Sequence, residues 1–300
     1  MKRFLLHIAL FVLLFLIIDQ VFYVFIAHAP KKEDDKRLQY VLDGQMNKDL
    51  IILGSSRGAN NIIAKQLEDS TGWSTYNLSY RGSNIEFQEF LLKTLLKYNQ
   101  PPKYLLLVID NGPEFKRVST LNFRYDRLFP LKKYTYINDY LVSHHKQNVL
   151  SKYLNLARVK RKDFSWTPKP VLPINVLTSH GSKINALDAD HTLVYKSDIK
   201  VYNRTEEEQV KLNAFKSIQY MCETNGVYLI YVFPPNFVAF NSSFYERFYR
   251  LDVDANNVMI YNQKDPRYYD YNYFRDESHL NKYGAEVFTE ELSDYIKSYK

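Results

Sequence analysis

The sequence predicts an α/β fold: a three-layer arrangement with a parallel sheet between two helical layers, preceded by an N-terminal transmembrane helix. Three observations predict it. Short, continuously apolar runs alternate with segments of helical period, the pattern of strands buried on both faces between helices. The first thirty residues are almost entirely apolar, broken only by a few polar positions such as His7, Asp19 and Gln20. The 300 residues are 46% hydrophobic, ample for a large buried core.

Taken in order, residues 1–29 read as a signal anchor. A helix over residues 4–29 would be roughly 39 Å long, against a hydrocarbon core of about 30 Å. Ala27-His28-Ala29 has the small-residue form of a cleavage site. Pro30 follows it, however, and the apolar stretch exceeds the roughly 7–15 residues of a cleaved signal, which favours an uncleaved anchor. Asp19 is a cost inside the span, expected near an interface or paired with a partner helix. Lys2 and Arg3 precede the span, and Lys31, Lys32, Lys36 and Arg37 follow it. That count does not favour a cytoplasmic N-terminus. Residues 30–48 are a charged tether or a short lead-in helix.

Residues 49–300 carry the alternation. Residues 49–53 form the first strand, Asn60 to Leu67 a helix and Ser74 to Leu78 a second strand. Glu86 to Tyr98 is a helix with an apolar face, stopped by Pro101-Pro102. Tyr104 to Ile109 is the third strand. Residues 113–202 lack a clear period and read as an irregular insertion, with Tyr136 to Leu156 able to form helix. Thr205-x-x-Glu208 has the form of a capping box opening a helix to about Thr224. Val227 to Phe233 is the fourth strand, closed by Pro234-Pro235. Asn241 to Tyr249 reads as helix, Val258 to Tyr261 as a strand, and Asn281 to Ser298 as the last helix.

Two motifs far apart carry the chemistry. The first strand ends in Gly54-Ser55-Ser56-Arg57, and Asp276-Glu277-Ser278-His279-Leu280-Asn281 stands just before the last helix. In a parallel sheet, loops at the carboxyl ends of strands form the site. A serine in a strand-to-helix turn exposes its hydroxyl beside free backbone N–H groups. Histidine three residues after aspartate lets the two side chains converge on one another.

These motifs, in this order, resemble the SGNH/GDSL hydrolase superfamily, over about residues 49–112 and 203–298. The resemblance implies the flavodoxin-like three-layer sheet of the SGNH hydrolase fold. It assigns Ser56 as nucleophile, His279 as base and Asp276 as its orienting acid. It makes Gly82, in Tyr76-Asn77-Leu78-Ser79-Tyr80-Arg81-Gly82, an oxyanion donor. The family's third motif, Gly-x-Asn-Asp, is altered to Asp110-Asn111-Gly112, so the side-chain donor is Asn111 or Asn84. Ser55 takes the place of the usual Asp. This Gly-Ser-Ser form looks like the branch that moves acyl groups onto cell-envelope polymers, as in alginate acetylation and teichoic-acid D-alanylation.

The expected activity is therefore that of a serine-dependent acyl-ester hydrolase or O-acyltransferase acting on a cell-envelope or exported polysaccharide. Its partners would be an acyl donor, a glycan acceptor and a multispanning membrane acyltransferase that delivers the acyl group. The resemblance places the domain on the periplasmic or extracytoplasmic side. No cofactor and no metal are expected. The competing reading is a catalytically degenerate, membrane-anchored glycan-binding or assembly subunit. A flavodoxin-like binding domain is a third, without a phosphate loop to support it.

The net charge of +7 suits an acidic polymer or an anionic membrane surface. Nucleic acid fits an anchored domain poorly. Arg57, Arg158, Lys160 and Arg161 are candidates for substrate binding, the last three in a basic segment that could meet an acidic glycan or lipid headgroups. Adjacent His144 and His145 diverge. His180 and His191, with Asp188 and Asp190, read as loop residues before a metal cluster. The lone Cys222 excludes an intrachain disulfide and reads as a packed helical side chain.

Overall fold

The computed structural model of the chain describes residues 1–28, 35–159, 176–185 and 189–299. It begins with helices α1 (Lys2–His28) and α2 (Arg37–Leu42), followed by β1 (Leu50–Leu53), α3 (Ser56–Asn61), α4 (Ala64–Thr71) and β2 (Thr75–Asn77). Then come α5 (Ile85–Tyr98), β3 (Tyr104–Val108), α6 (Tyr125–Leu128) and α7 (Thr135–Ser143). The chain ends with α8 (Gln209–Thr224), β4 (Tyr228–Phe233), α9 (Ser242–Tyr249), β5 (Val258–Ile260), β6 (Phe274–Asp276), β7 (His279–Leu280) and α10 (Lys282–Lys297). Two compact units result, one from Met1–Gln39 and Arg124–Pro170, the other from Tyr40–Phe123 and Val171–Lys300.

The larger unit is built on a five-stranded parallel sheet in the order β2-β1-β3-β4-β5. This is the order of flavodoxin-like doubly wound sheets, whose crevice opens where the strand order reverses, between β1 and β3. β1 is buried along its whole length, as its unbroken Leu-Ile-Ile-Leu run requires. Alternate residues point to opposite faces. Ile52, Val108 and Val232 meet Phe288, Leu292 and Ile296 of α10 on one face. On the other, Tyr231 packs against Phe215 of α8 and Phe248 of α9, with ring centroids 5.6 and 5.2 Å away. Each such buried side chain contributes about 1.5–3 kcal/mol, so α10 is pinned to the sheet by its inner face.

Several local expectations shift. The stretch read as a tether or a short lead-in helix contains α2, and Val41, Leu42 and Met46 are buried. The Met46 N–H donates to Asn99 Oδ1 at 2.7 Å, and Asn99 Nδ2 donates to the Val41 carbonyl at 2.8 Å. The single helix expected after β1 is two helices, α3 and α4, separated by extended Ile62 and Ile63. The capping box does not form. Asn203 caps a short 3-10 turn at Arg204–Glu206, and α8 begins only at Gln209. The Glu208 N–H donates to the Phe115 carbonyl at 2.8 Å, and its carboxylate pairs with Lys211 at 3.1 Å. A tertiary contact has claimed the residue that would have capped.

In the smaller unit, Lys2–Val24 of α1, 23 residues, is long and apolar enough to cross a membrane, with mean hydropathy 2.5 over an 18-residue window. Its apolar side chains are exposed, and Asp19 among them is buried. Asp19 pairs within its own chain, not with a partner helix. Its carboxylate accepts from the Asn155 N–H at 3.0 Å, Asn155 Nδ2 at 2.9 Å and the Leu156 N–H at 2.8 Å. The expected helix over 136–156 stops at α7. His145 turns left-handed at φ 55°, and Asn148 then caps a separate 3-10 turn, Val149–Lys152.

Candidate active site

The carboxyl end of β1 delivers two adjacent serines to different environments. Ser55 is fully buried. Its Oγ accepts the Arg57 N–H at 3.3 Å, capping α3, and donates to Asp110 Oδ1 at 2.7 Å. Ser56 opens the helix and faces a cleft of about 530 Å³. The far end of α3 is fixed by the buried Asn77, whose Nδ2 donates to the Gly58 carbonyl at 2.8 Å.

The hairpin β6–β7 supplies the opposing side chains. Asp276 ends β6, and its Oδ1 accepts the Ser278 and His279 N–H groups at 2.9 and 3.0 Å, which closes a tight turn. That turn folds the imidazole back onto the carboxylate: His279 Nδ1 lies 2.8 and 2.9 Å from its two oxygens. A carboxylate can only accept, so Nδ1 carries the proton and Nε2 is left as an acceptor. Nε2 lies 2.7 Å from Ser56 Oγ. Burial alone would raise the Asp276 carboxyl. The His279 hydrogen bond and charge, with the two backbone N–H groups, hold it below the usual carboxylate value of 3.8.

Two devices keep the hairpin on the serine helix. The Leu280 N–H donates to Asn61 Oδ1, at the end of α3, at 3.1 Å. Gly284, in the first turn of α10, allows the helix to approach the Tyr273 carbonyl. A Cβ at 284 would lie 2.1 Å from that oxygen. The tight contact is thus with the backbone just before β6.

The remaining expected residues divide. Gly82 lines the cleft with a left-handed φ of 71°. Among the described residues neither the Ser56 nor the Gly82 N–H has a hydrogen-bond acceptor. Asn111 also lines the cleft, left-handed at φ 56°. Asn84 does not line it. Its Oδ1 accepts the Phe87 N–H at 3.1 Å as the cap of α5, and its Nδ2 donates to Glu86 at 2.8 Å. Arg57 lines the cleft, but its charge is turned inward. It is 4% exposed and donates to the carbonyls of Ile109, at 3.1 Å, and Pro234. It thereby ties α3 to the ends of β3 and β4 and is spent on structure rather than substrate. Arg158 is also buried, with Nε on the Ser151 carbonyl at 2.9 Å and Nη1 on that of Lys133 at 3.2 Å. Lys160, Arg161 and Asp188 lie outside the described residues. His180 pairs with Glu68 at 3.1 Å, and His191 packs edge-on against Tyr271.

Sequence reasoning missed a buried carboxyl pair behind the serine turn. Asp110 and Glu114 are 7% and 2% exposed, and Glu114 Oε2 accepts the Asp110 N–H at 2.6 Å. Burial pushes the Asp110 carboxyl up, opposed by the Arg57 charge and the Ser55 hydrogen bond. Burial, then the Asp110 charge, pushes Glu114 up to about 8. The signal was present in the altered third motif: an acid at the end of β3 faces Ser55, the position where the resemblance puts one. Asn236 was missed as well. It follows Pro234-Pro235, lines the cleft and has an unpartnered buried Oδ1.

Chemically, the line Asp276–His279–Ser56 can take a proton from the serine hydroxyl and return it to another oxygen. Unpaired N–H groups stand at the same cleft. The chain matches no protein-family model and no curated protein.

Proposed function

We infer that the chain is a serine-dependent acyl-ester hydrolase or O-acyltransferase of the SGNH type, held in a membrane by α1. The observation that carries this reading is the Ser56 Oγ–His279 Nε2 distance of 2.7 Å, with Nδ1 on Asp276. Ser56 Oγ attacks the acyl carbonyl while Nε2 takes its proton. Asp276 stabilises the imidazolium and remains ionised. The carbonyl oxygen becomes an oxyanion facing the Ser56 and Gly82 N–H groups, with Asn111 as a side-chain donor. The tetrahedral intermediate then collapses, and the leaving oxygen receives the proton from His279. The acyl-serine is next attacked by water or a sugar hydroxyl, whose proton passes to His279 and back to Ser56 Oγ. No cofactor enters either half.

The acceptor is a cell-envelope or exported polysaccharide on the extracytoplasmic side, with a multispanning membrane protein supplying the acyl group. The cleft supports a bulky polar acceptor: it is open, with Arg81, Asn236 and Asn241 on its walls beside Leu121, Ile199 and Val238. The deciding experiment is active-site labelling of the full chain with a fluorophosphonate, followed by peptide mass spectrometry. The adduct is expected on Ser56 and absent from Ser56→Ala. An adduct on Ser55, or none on a folded chain, overturns the mechanism and leaves the glycan-binding subunit. Incubating the chain with an ester labelled in its acyl group, in the presence of an acceptor polysaccharide, separates transfer from hydrolysis by where the acyl group ends.

A further inference from the structure

The segment that holds Asp19 has a second, outward face. Val149, Leu150 and Tyr153 are 60%, 56% and 77% exposed, while Ser151 between them is buried. This exposure is built into the turn. Asn148 Oδ1 accepts the Leu150 N–H at 2.8 Å, and Ser151 Oγ donates to the Asn148 carbonyl at 2.6 Å. The Ser151 carbonyl in turn accepts from Asn138 Nδ2 at 3.0 Å and Arg158 Nε at 2.9 Å. A well-braced turn therefore presents three large apolar side chains to solvent, against the usual tendency to bury them.

Its depth along α1 is set by Asp19. The bonds from Asn155 and Leu156 hold the segment beside that residue, where the polar pair Asp19-Gln20 interrupts the apolar run of α1. Measured from Phe4, the first residue of that run, Asp19 lies about 22 Å along the helix at 1.5 Å per residue, about 8 Å inside the far boundary of a hydrocarbon core of about 30 Å. Interfacial elements bury their apolar side about 5–10 Å into the boundary of headgroups and acyl chains, so the depths agree. The charge agrees too. The sequence holds no Asp or Glu from Tyr140 to Lys162, and Lys146 and Lys152 are exposed. Tyr153 has the amphipathic ring favoured at membrane interfaces.

We propose that the turn from Val149 to Tyr153 is a second membrane contact, seated in the headgroup and acyl boundary of the bilayer that α1 spans. Lys146 and Lys152 face anionic headgroups. The inference rests on α1 spanning a bilayer and is independent of the acyl chemistry. It distinguishes a lipid surface from an acidic glycan as the ligand of this basic region.

Site-directed fluorescence tests it on the full chain in nanodiscs of mixed zwitterionic and anionic lipid. The native Cys222 is buried, and its thiol is pushed up to about 12, so it stays unlabelled. An environment-sensitive probe is placed through Leu150→Cys and Tyr153→Cys, with Tyr220→Cys as an exposed reference and Leu13→Cys as a reporter of the span. The first two are expected to be quenched by a nitroxide near the lipid headgroup. Their aqueous iodide quenching should be about fivefold weaker than at Tyr220→Cys, as insertion into the interface implies. If Leu13→Cys is shielded by lipid while the 150 and 153 probes quench like the reference, the second contact is absent. If Leu13→Cys is itself open to iodide, the span fails and the inference falls with it. Shielding of the 150 and 153 probes by a soluble acidic polysaccharide, and not by lipid, overturns it in favour of a glycan site.

Discussion

Ser56 reaches the cleft from a turn whose neighbours Ser55 and Arg57 are 0% and 4% exposed, whereas Asp276, across the cleft, has a side chain 49% exposed. The serine turn is held by tertiary contacts: Asp110, Glu114, two carbonyls at the ends of other strands, and Asn77. The histidine turn is closed by bonds between Asp276 and residues two and three positions later, and is tied to its surroundings by backbone groups, the Glu277 carbonyl accepting the Phe237 N–H at 2.9 Å and the Leu280 N–H donating to Asn61. On the proposed mechanism, the difference separates function from stability. Around Ser56, most side chains would serve both. At Asp276 and His279, a change would remove chemistry and leave the fold nearly intact.

The sharpest test of that contrast is on the chemistry. Ser56→Ala and His279→Ala should each lower kcat for a small acyl ester by about 10⁴- to 10⁶-fold, with the double variant no worse than the lower single one. Melting temperatures should stay close to that of the parent. A multiplicative double loss would mean that the two side chains do not act together. Asp276→Asn should cost about 10³- to 10⁴-fold in kcat, because an amide can donate to Nδ1 and stabilise the wrong tautomer. Its urea midpoint should move little; a large shift would place the carboxylate in the folding network after all.

On the serine side the prediction inverts. Arg57→Met should cost about 2–5 kcal/mol of stability, read from urea unfolding, since it leaves the buried Ile109 and Pro234 carbonyls without their donor. A small loss would show that the serine turn is held by packing alone. Glu114→Gln should act through pH. The Glu114 carboxyl is raised from 4.5 to about 8 in the folded chain. The folded state therefore binds the extra proton between those values, and stability from this group falls as pH rises from 4.5 towards 8. The glutamine variant should flatten that slope. An unchanged slope would place the buried proton elsewhere. The smallest effect is expected from Asn84→Ala, which removes a helix cap worth about 1 kcal/mol. Ester turnover should be unaffected; a tenfold fall in kcat would restore Asn84 as an oxyanion donor.

The same contrast explains what could be read in the amino-acid sequence. The strands were legible because each is a short run that must be buried on both faces. Asp276 and His279 were legible because their geometry is local, three residues apart in one turn. The roles of Arg57 and Arg158 were not, because a sequence shows a cation without showing which carbonyls surround it. Asn84 misled for a similar reason, since a capping asparagine and an oxyanion asparagine look alike before the helix start is known. The capping box failed because Phe115, far away in the chain, took the Glu208 N–H. The described part of the irregular middle region gave no period because its turns are set by single side chains such as Asn148 and Asn155 bonding to the backbone or to Asp19. The buried acid facing Ser55 needed β1 and β3 to be recognised as neighbours.

The hydrogen bond between His279 and Ser56 joins positions 223 residues apart. A ribosome makes the serine 223 residues before the histidine. The growing chain thus has no imidazole beside Ser56 until β6 and β7 have been synthesised and docked. Any product that stops short of residue 276 carries Ser56 without this hydrogen-bond partner. On the proposed mechanism, biogenesis would therefore delay the activation of the serine until the hairpin is in place.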